Sequence, residues 1–490
     1  MRTLRALEHL EAEPRIGSDP LGGPRAPEVW DVVVIGGGNA ALVAALTARH
    51  HVRHVLVLER APMWLRGGNS RHTRNVRCVH GAADAYNTGS YLFEELYADL
   101  CAVGTGPSNE ELAELTVRAS ESVPPWMSEH GISWQPPLTG TLHLGRTNRF
   151  FLGGGKALVN RYYRTATEMG VTIAYEACAQ ELVADGDRVD AVVVDVGGRR
   201  ELVRTKAVVC AAGGFEANID WLARYWGEAA RNYIIRGPIY NDGTMLQALY
   251  DLGAARAGEE KGFHSTAVDA RSPRFDGGIA TRLDSIPFGV VVNRFGQRFY
   301  DEGEELWPKR YAIWGRNIAE QDGQIAFAIW DAKVQGLFLP PMYGPYRADR
   351  IDDLATQLGM DAETARVVSD SVTRYNDAVV SGSFDPSLLD DCRTEGLAIP
   401  KSHWAQRIDQ PPYYGIAMRP GITFTYLGVK VDADARVRRE DGSGFQNVFA
   451  AGEIMSGNVL SSGYLAGFGL TIGTVWGRIA GSRAAEVAIS

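Results

Sequence analysis

The chain has 490 residues, 45% hydrophobic and 22% charged, and its formal net charge is −9. This length exceeds one ordinary core, so we expect two or three substructures. The acidic balance gives no indication of nucleic-acid binding. The five cysteines are scattered without CxxC pairing, which fits a reducing compartment and places any iron–sulfur relay on another chain. No apolar run is long enough to span a bilayer, so we expect a cytoplasmic protein.

The first part of the chain predicts an arm followed by a buried strand. Residues 1–29 alternate in charge and then become rich in glycine and proline, which predicts a short helix and a flexible arm. Asp31 to Ile35 is a β-branched run with the length of a buried parallel strand. Gly36-Gly-Gly38 follows directly and marks a sharp turn into an alanine-rich helix. A second apolar run then ends at Glu59.

This order of strand, glycine turn, helix, strand and acid predicts a dinucleotide site. Gly36 permits the turn, and Gly38 lets a pyrophosphate approach the backbone. The helix that begins near Asn39 and Ala40 presents its positive N-terminus to the phosphates. The alternative is a structural glycine turn in some other doubly wound protein.

The next elements alternate between loops, helices and strands. Residues 60–77 form a polar, cationic loop with no strand or helix period, and residues 86–130 are helical, with a cap expected at Ser108. Gly153-Gly-Gly155 opens another helix. A strand at 171–175 precedes a β-meander whose strands are expected at 180–183, 188–196 and 201–203. A buried strand then begins at Ala207 and ends in the turn at Gly213 and Gly214.

The composition changes between about residues 260 and 420, where tryptophan and tyrosine are dense and residues 351–380 are strongly helical. The opening pattern then returns, with a strand ending in Gly452-Glu453 and a terminal helix beginning near Gly467. We therefore predict an α/β fold with a Rossmann-like domain, built from a parallel sheet plus a β-meander. The predicted divisions are an N-terminal arm at 1–29, that domain at 30–258 and 424–490, and an inserted α+β capping domain at 259–423.

Four glycine motifs resemble those of flavoproteins of the fumarate reductase/succinate dehydrogenase superfamily. They are Gly36-Gly-Gly38 with Glu59, Gly67-Gly68-Asn69-Ser70, Ala212-Gly213-Gly214 and Ala451-Gly452-Glu453. The resemblance runs from about residue 30 to the end and implies FAD, held without a covalent bond because His72 is out of register with the attached histidine of some relatives. The implied cofactor residues are Gly36, Gly38, Asn39, Ala40, Glu59, Arg60, Gly68, Asn69, Ser70, Ala212, Gly213, Gly214, Gly452, Glu453, Gly467, Gly469, Leu470 and Thr471.

The resemblance is more specific in four segments, residues 66–75, 298–315, 422–429 and 463–469. These segments resemble members of the superfamily that oxidise a small polycarboxylate, which implies conversion of tricarballylate to cis-aconitate. Such an anion needs clustered cations. Residues 66–77 contain Arg66, Arg71, His72, Arg74 and Arg77 and no acid. We expect Arg71, His72 or Arg74 to reach substrate carboxylates. The alternative is a solvated basic loop, or contacts with the FAD phosphates.

Further candidates follow from the same resemblance. His264, with Thr266, is similar to a His-Pro-Thr motif that binds a substrate carboxylate; a lone histidine is otherwise structural. Arg310 follows an Arg-Phe-x-x-Glu motif, as does the proton-shuttling arginine of the family, and the alternative is a salt bridge between domains. Tyr464 replaces a substrate-binding arginine and could bind substrate or act as the base, while Tyr426 lies near the end of the inserted unit.

The resemblance also implies a separate electron acceptor, either an iron–sulfur or cytochrome partner or a quinone, and through it contact with a membrane. Other functions remain open. One is a desaturase for an apolar ketone such as a steroid, which the tyrosine at position 464 favours and the cationic loop opposes. Others are a fumarate reductase-like enzyme and a non-catalytic flavin-binding redox subunit. No metal site is predicted.

Overall fold

The computed structural model describes residue 21 and residues 26–104, 106, 108–137 and 144–490. Its largest sheet has eight strands, with five parallel strands at its centre. In spatial order the main strands are Arg436–Arg438, Gly444–Ala450, Arg199–Cys210, Trp30–Ile35, Val55–Leu58 and Thr172–Ala174; Ala177–Asp185 and Arg188–Val196 complete a meander on Arg199–Cys210. The predicted α/β class and the parallel sheet with its meander are confirmed.

The opening strand, Trp30–Ile35, lies inside this sheet because its side chains are apolar on both faces. Val32, Val33 and Val34 are fully buried. The strand pairs in parallel with Val55–Leu58 on one side and with Arg199–Cys210 on the other. A strand that is apolar on both faces is typical of a parallel sheet covered by helices on both sides.

The first and last helices, Asn39–Arg49 and Phe468–Ile489, pack against each other through small residues. A Cβ atom at Gly477 or Gly481 would collide with the backbone of the first helix. The Asn39 side chain donates to the carbonyl of Leu470 at 3.3 Å and to the hydroxyl of Thr474 at 3.0 Å. The N-termini of both helices are therefore held together at the carboxyl edge of the sheet.

A second sheet of six strands covers that edge. Its long strand, Tyr413–Thr425, pairs with Ile234–Ile235, Phe263–Asp269, Ala326–Trp330 and Tyr346–Ala348, and Val290–Asn293 extends it beyond Ala326–Trp330. A separate apolar cluster, which includes Val290, Ile329, Leu354 and Val368, supports its outer face. The capping domain at 259–423 remains a prediction; the sheet also uses a strand that precedes residue 259.

The remaining elements are helices and small sheets. The other α-helices are Phe93–Ala102, Glu110–Ala119, Val123–Glu129, Leu144–Thr147, Gly154–Glu168, Ile219–Trp226, Thr244–Asp251, Trp307–Arg310, Trp314–Ala319, Ile351–Gln357 and Ala362–Ala378. The small sheets pair Asn75–Arg77 and Trp134–Gln135 with Asn148–Phe151, Arg256–Ala257 with Gly428–Val429, and Val379–Val380 with Arg393–Thr394. Among the described residues, no helix is both long and apolar enough to cross a membrane.

Several local predictions were wrong. The helix at Glu110–Ala119 is capped by Asn109, whose side chain accepts from the Leu112 N–H, rather than by Ser108. The cationic loop is not free of regular structure, because it contains the 3₁₀ turn Gly68–His72 and the strand Asn75–Arg77. The strands expected at 201–203 and from 207 are one strand, and the helix expected at 351–380 is two helices. The predicted arm lies almost wholly outside the described residues.

Candidate functional site

One large cleft runs along the carboxyl edge of the main sheet and under the second sheet. It holds about 1700 Å³ of empty space, counting the part that opens to solvent. Pockets for single small ligands hold roughly 300–1,000 Å³, so this cleft has room for a longer molecule. Ligands of open α/β sheets bind at this edge. We call it the cofactor cleft.

The glycine turn after the opening strand forms one wall of the cofactor cleft. Gly36 has φ +115°, a conformation that glycine alone adopts readily, and a Cβ atom there would collide with the carbonyl of Ala211. A side chain at Gly37 would strike Glu59 and Tyr163. Around Gly38, by contrast, the nearest atoms to a Cβ are 3.4 Å away or more, so the turn leaves open space in front of the first helix.

Glu59 lies at the end of its strand beside this turn, as predicted, and it lines the cleft. Its carboxylate accepts from the backbone N–H groups of Ala61 at 2.8 Å and Gly67 at 3.1 Å, and from the Tyr163 hydroxyl at 3.2 Å. Burial raises the pKa of Glu59, and these donors oppose the shift. The same carboxylate that would face a ribose therefore also fixes the loop that begins at Gly67.

Asn69 occupies the middle of the cleft wall, next to two buried acids. Its amide donates to Glu216 Oε1 at 2.7 Å, to the Thr423 carbonyl at 2.7 Å and to Glu453 Oε2 at 3.4 Å. Burial raises the pKa of Glu453, and the adjacent Glu216 raises it further. Oε2 of Glu216 has no donor among the described side chains unless Glu453 keeps its proton. Burial also raises the pKa of Glu216, so burial favours a proton on these two adjacent carboxyls, which we call the acid pair.

The N-terminus of the terminal helix forms the far end of the wall of the cofactor cleft. Gly467, Gly469 and Leu470 line the cleft, and the backbone N–H of Gly469 donates to the Tyr464 hydroxyl at 2.9 Å. The positive end of a helix of 22 residues thus faces the cleft. Thr471 does not line it; its hydroxyl donates to the Arg77 carbonyl and ties the helix to the strand Asn75–Arg77.

The donor set of this cleft fits a flavin dinucleotide. Two helix N-termini and the glycine turn suit a pyrophosphate and an electron-rich ring, while Glu59 suits a ribose. The predicted cofactor residues other than Thr471 all line the cleft. Among the described residues, no group of histidine, cysteine and acidic side chains could hold a metal ion.

Beyond this wall the cleft contains three guanidinium groups, those of Arg74, Arg236 and Arg282, which we call the arginine cluster. Burial lowers the pKa of Arg74 to about 10, and the nearby charge of Arg282 contributes to the shift. Burial and Arg282 likewise lower the pKa of Arg236 to about 10. The Nε and Nη2 atoms of Arg74 are buried without a hydrogen-bond partner.

Arg236 and Arg282 are held by the second sheet and the loops around it. Arg236 donates to the Gly278 carbonyl at 3.1 Å and to the Thr423 hydroxyl at 2.6 Å. Arg282 forms an ion pair with Asp284 at 2.8 Å, which raises the pKa of Arg282 despite its burial. Within the described residues, Asp284 is the one carboxylate that forms an ion pair with the arginine cluster, so about two positive charges remain there without a counterion.

Three rings complete this end of the cleft. His264 stacks on Tyr464, with ring centroids 3.9 Å apart, and its Nε2 lies 3.0 Å from the Tyr311 hydroxyl. Burial, together with Arg236 and Arg282, lowers the pKa of His264 well below its usual range, so the imidazole is neutral. Burial raises the pKa of Tyr311, and the arginine cluster opposes that shift.

The structure brings some predicted substrate residues together and separates others. His72, Arg74, His264 and Tyr464 line the cleft. Arg310 does not: its guanidinium pairs with Glu304 at 2.7 Å, away from the arginine cluster. The structure thus gives Arg310 an ion pair outside the cleft lining, and its role in proton transfer stays a prediction.

Three other candidates also lie outside the cleft lining. Arg71 donates to the Leu65 carbonyl at 3.0 Å and faces a second pocket. The Tyr426 hydroxyl is buried and donates to the Gly463 carbonyl at 2.9 Å, and Thr266 is fully buried. Of the other loop cations, Arg66 faces the second pocket, and Arg77 is buried against Tyr91.

The sequence reasoning missed Arg236, Arg282 and Tyr311. Arg236 ends the apolar run Tyr-Ile-Ile and precedes Gly-Pro, which marks a strand end. Arg282 and Asp284 are two residues apart, a spacing that puts side chains on one side of an extended segment. Tyr311 follows Arg310 directly. None of these signals indicates that the three segments meet.

The fold and the cleft define a dinucleotide-binding α/β protein. A family model described as FAD binding domain matches residues 31–470. The chain therefore belongs to the FAD-binding domain family, and the prediction of FAD as its cofactor is confirmed.

This chain covers different fractions of the curated relatives that it matches. The chain is 26% identical over 504 residues to NADH:fumarate oxidoreductase of Klebsiella pneumoniae, covering 97% of this chain and 50% of that protein. It is 26% identical to the probable fumarate reductase Ifc3 of Shewanella frigidimarina (94% and 76% covered) and 25% identical to 4-oxocyclohexanecarboxylate 2-dehydrogenase of Sinomonas cyclohexanicum (92% of each). The chain thus spans half of the Klebsiella relative and most of the other two.

Two solved structures share the fold. The open conformation of a flavocytochrome c3 fumarate reductase aligns with a TM-score of 0.72 and 23% identity, covering 96% of this chain and 80% of that one. A 3-ketosteroid-Δ4-(5α)-dehydrogenase from Rhodococcus jostii RHA1 aligns with a TM-score of 0.69 and 23% identity, covering 94% and 98%. One fold thus accommodates an anionic and an apolar substrate.

Proposed function

We propose that this protein is an FAD-dependent dehydrogenase that oxidises a carbon–carbon single bond of a small polycarboxylate, with tricarballylate, converted to cis-aconitate, as the leading substrate. The observation that supports this proposal is the arginine cluster. Two guanidinium charges buried without protein counterions are unfavourable on their own and become favourable when a polyanion supplies the counterions. An apolar ketone would leave them unpaired.

The cluster also has a chemical role in the proposed reaction. FAD, when bound, supplies the acceptor for the hydride that leaves one carbon of the substrate. Arg74, Arg236 and Arg282 bind the carboxylates and stabilise the negative charge that develops as the neighbouring carbon loses its proton. The hydrogen bonds of Arg236 to Gly278 and Thr423, and of Arg282 to Asp284, hold these two guanidinium groups in place and so orient the bound carboxylates.

We infer that Tyr311, in its ionised form, accepts the proton, rather than Arg310. Tyr311 lines the cleft among the arginines; burial raises its pKa and the arginine charges oppose that shift, so the ionised form is reached at alkaline pH, whereas Arg310 is paired with Glu304. His264 holds that hydroxyl by a hydrogen bond of 3.0 Å and keeps it oriented. Tyr464 has a different role, because its hydroxyl oxygen already accepts a hydrogen bond from the backbone N–H of Gly469 at the start of the terminal helix.

A desaturase acting on a cyclic keto acid is the second candidate. The Sinomonas relative is named for a substrate that carries both a ketone and a carboxylate. In this chain the hydroxyls of Tyr311 and Tyr464 could bind a ketone while a single arginine binds the carboxylate. That arrangement would leave one more guanidinium without a counterion, so we rank it below the polycarboxylate.

The proposal includes a separate electron acceptor and a cytoplasmic location, with any membrane contact made through that acceptor. The deciding experiment is anaerobic mixing of the yellow holoprotein with tricarballylate, succinate, 4-oxocyclohexanecarboxylate or a 3-ketosteroid. We expect tricarballylate to bleach the flavin absorbance, with cis-aconitate as the product. Bleaching by the keto acid or the steroid alone would contradict the polycarboxylate assignment. A holoprotein bleached by dithionite but by none of these compounds would support a non-catalytic redox subunit.

A further inference from the structure

A second pocket lies on the opposite side of the loop that forms the cleft wall. We call it the outer pocket. It is lined by Met63, Trp64, Arg66, Arg71, Lys156, Val159 and Asn160. Three of these seven residues are cations and none is an acid, although the whole chain carries a net charge of −9. Arg71 pairs with Asp276 at 3.7 Å, so within the described residues Arg66 and Lys156 carry the positive charge that has no ion-pair partner at the outer pocket.

Only one layer of backbone separates the outer pocket from the cofactor cleft. Gly68, Asn69, Ser70 and His72 line the cleft, whereas Arg71, in the same 3₁₀ turn, lines the outer pocket. The helix Gly154–Glu168 packs directly on this turn, since a Cβ atom at Gly155 would collide with the carbonyl of Ser70. Residues of one short turn thus line both the cofactor cleft and the outer pocket.

The outer pocket also has unused binding capacity. The Trp64 side chain is 76% exposed, the largest exposed fraction among the exposed large hydrophobic residues of the described chain. The Nε atom of Arg66 is buried without a hydrogen-bond partner. Lys156 is exposed and forms no ion pair within the described part of the chain. An aromatic ring surrounded by cations is a common centre of a protein interface.

We propose that the outer pocket is the docking site for the electron acceptor, and that the acceptor is a small redox protein with an acidic face that carries a one-electron centre. This proposal depends on the redox function proposed above. FAD, when bound, would hold the two electrons and one proton that each substrate oxidation delivers. Two equivalents of the acceptor, docked beside the turn Gly68–His72, would each take one electron, and the proton would pass to solvent. Opposite charges steer the partner to this face.

The test measures reoxidation alone, so it does not depend on the identity of the substrate. Holoenzyme is reduced with dithionite, freed of excess reductant and mixed in a stopped-flow instrument with ferricyanide, with a cationic ferrocenium salt or with an acidic blue-copper protein, each of which is a one-electron oxidant. The variants are Lys156→Glu and Trp64→Ala. Lys430→Glu is the matched control, because Lys430 is an exposed lysine that lines neither the cleft nor the outer pocket.

At low ionic strength we expect Lys156→Glu to slow reoxidation by ferricyanide and by the blue-copper protein about tenfold and to accelerate reoxidation by the ferrocenium salt, since steering by local charge changes association rates by roughly 10- to 1,000-fold. The differences should shrink as salt is added. Trp64→Ala should slow the blue-copper protein and leave ferricyanide unchanged. Equal effects of Lys156→Glu and Lys430→Glu would overturn the proposal, because only net charge would then matter. An effect of Lys156→Glu on ferricyanide but not on the blue-copper protein would show a site for small anions and refute the protein partner.

If no polycarboxylate bleaches the enzyme but these rates change as expected, the proposed substrate fails and the docking site stands.

Discussion

The clearest test of the arginine cluster is the substitution Arg74→Met. Arg74 has no hydrogen-bond partner at Nε or Nη2, so its removal breaks no hydrogen bond of these two atoms. It also relieves a buried charge whose pKa is lowered to about 10. We therefore expect the free energy of unfolding to stay the same or to rise slightly.

Substrate binding, unlike the stability of the fold, should be weakened by Arg74→Met. A hydrogen bond to a charged group contributes roughly 1.5–3 kcal/mol, and about 1.4 kcal/mol corresponds to a tenfold change in the dissociation constant. Arg74→Met should thus weaken tricarballylate binding by about 10- to 150-fold, while binding of butyrate, with one carboxylate, should change much less. The constants come from the perturbation of the flavin spectrum in anaerobic titrations.

Arg310→Met is the matched control, because Arg310 is an arginine of the same region that pairs with Glu304 outside the cleft. We expect it to leave the dissociation constant within twofold. The reasoning is refuted if Arg74→Met changes tricarballylate binding less than threefold, or if Arg310→Met weakens it as much. A loss of stability in Arg74→Met without a loss of binding would show that Arg74 is structural.

Other predictions concern pH, the proton acceptor, stability and the cofactor bond. Arg236 and Arg74 have pKa values of about 10, so the KM for a polycarboxylate should rise as the pH passes about 10 and the cations are lost; a flat profile to pH 11 would contradict this. Tyr311→Phe should lower kcat by about 100- to 10,000-fold and abolish the rise of the oxidation rate with alkaline pH, with little change in substrate affinity, in rapid-reaction kinetics. Asp284→Asn should lower the free energy of unfolding by about 3–5 kcal/mol in urea titrations, because Arg282 loses its partner. The pKa of Asp284 is lowered in the folded state, so its contribution to wild-type stability is present above the unfolded pKa and lost as the pH falls through the folded one. Acid precipitation should release all of the yellow colour into solution, because His72 is expected to form no covalent bond with FAD.

The cofactor half of the site could be predicted from the sequence because it depends on local backbone geometry. The turn at Gly36 to Gly38 and the acid at Glu59 are encoded within 30 consecutive residues. Glycine turns at the ends of other strands converge with them once the sheet is parallel, since the carboxyl ends of such strands share one edge.

The substrate half could not be predicted in the same way, because charge along the chain does not reveal the direction of a side chain. The cationic loop divides between three environments: Arg74 faces the cleft, Arg71 faces the outer pocket and Arg77 is buried elsewhere. Arg236 and Arg282 join Arg74 from segments more than 150 residues away. Their meeting depends on the pairing of the second sheet, which the local sequence pattern does not specify.

The acid pair affects the net charge of the whole molecule. The formal count of −9 treats Glu216 and Glu453 as two anions, whereas the raised pKa of Glu453 beside Glu216 favours a proton on the pair and therefore a less negative protein. We expect replacement of Glu453 by glutamine to change the electrophoretic mobility at pH 7 less than the same replacement at an exposed glutamate. Removing an acid at this place would thus change the net charge less than the sequence suggests.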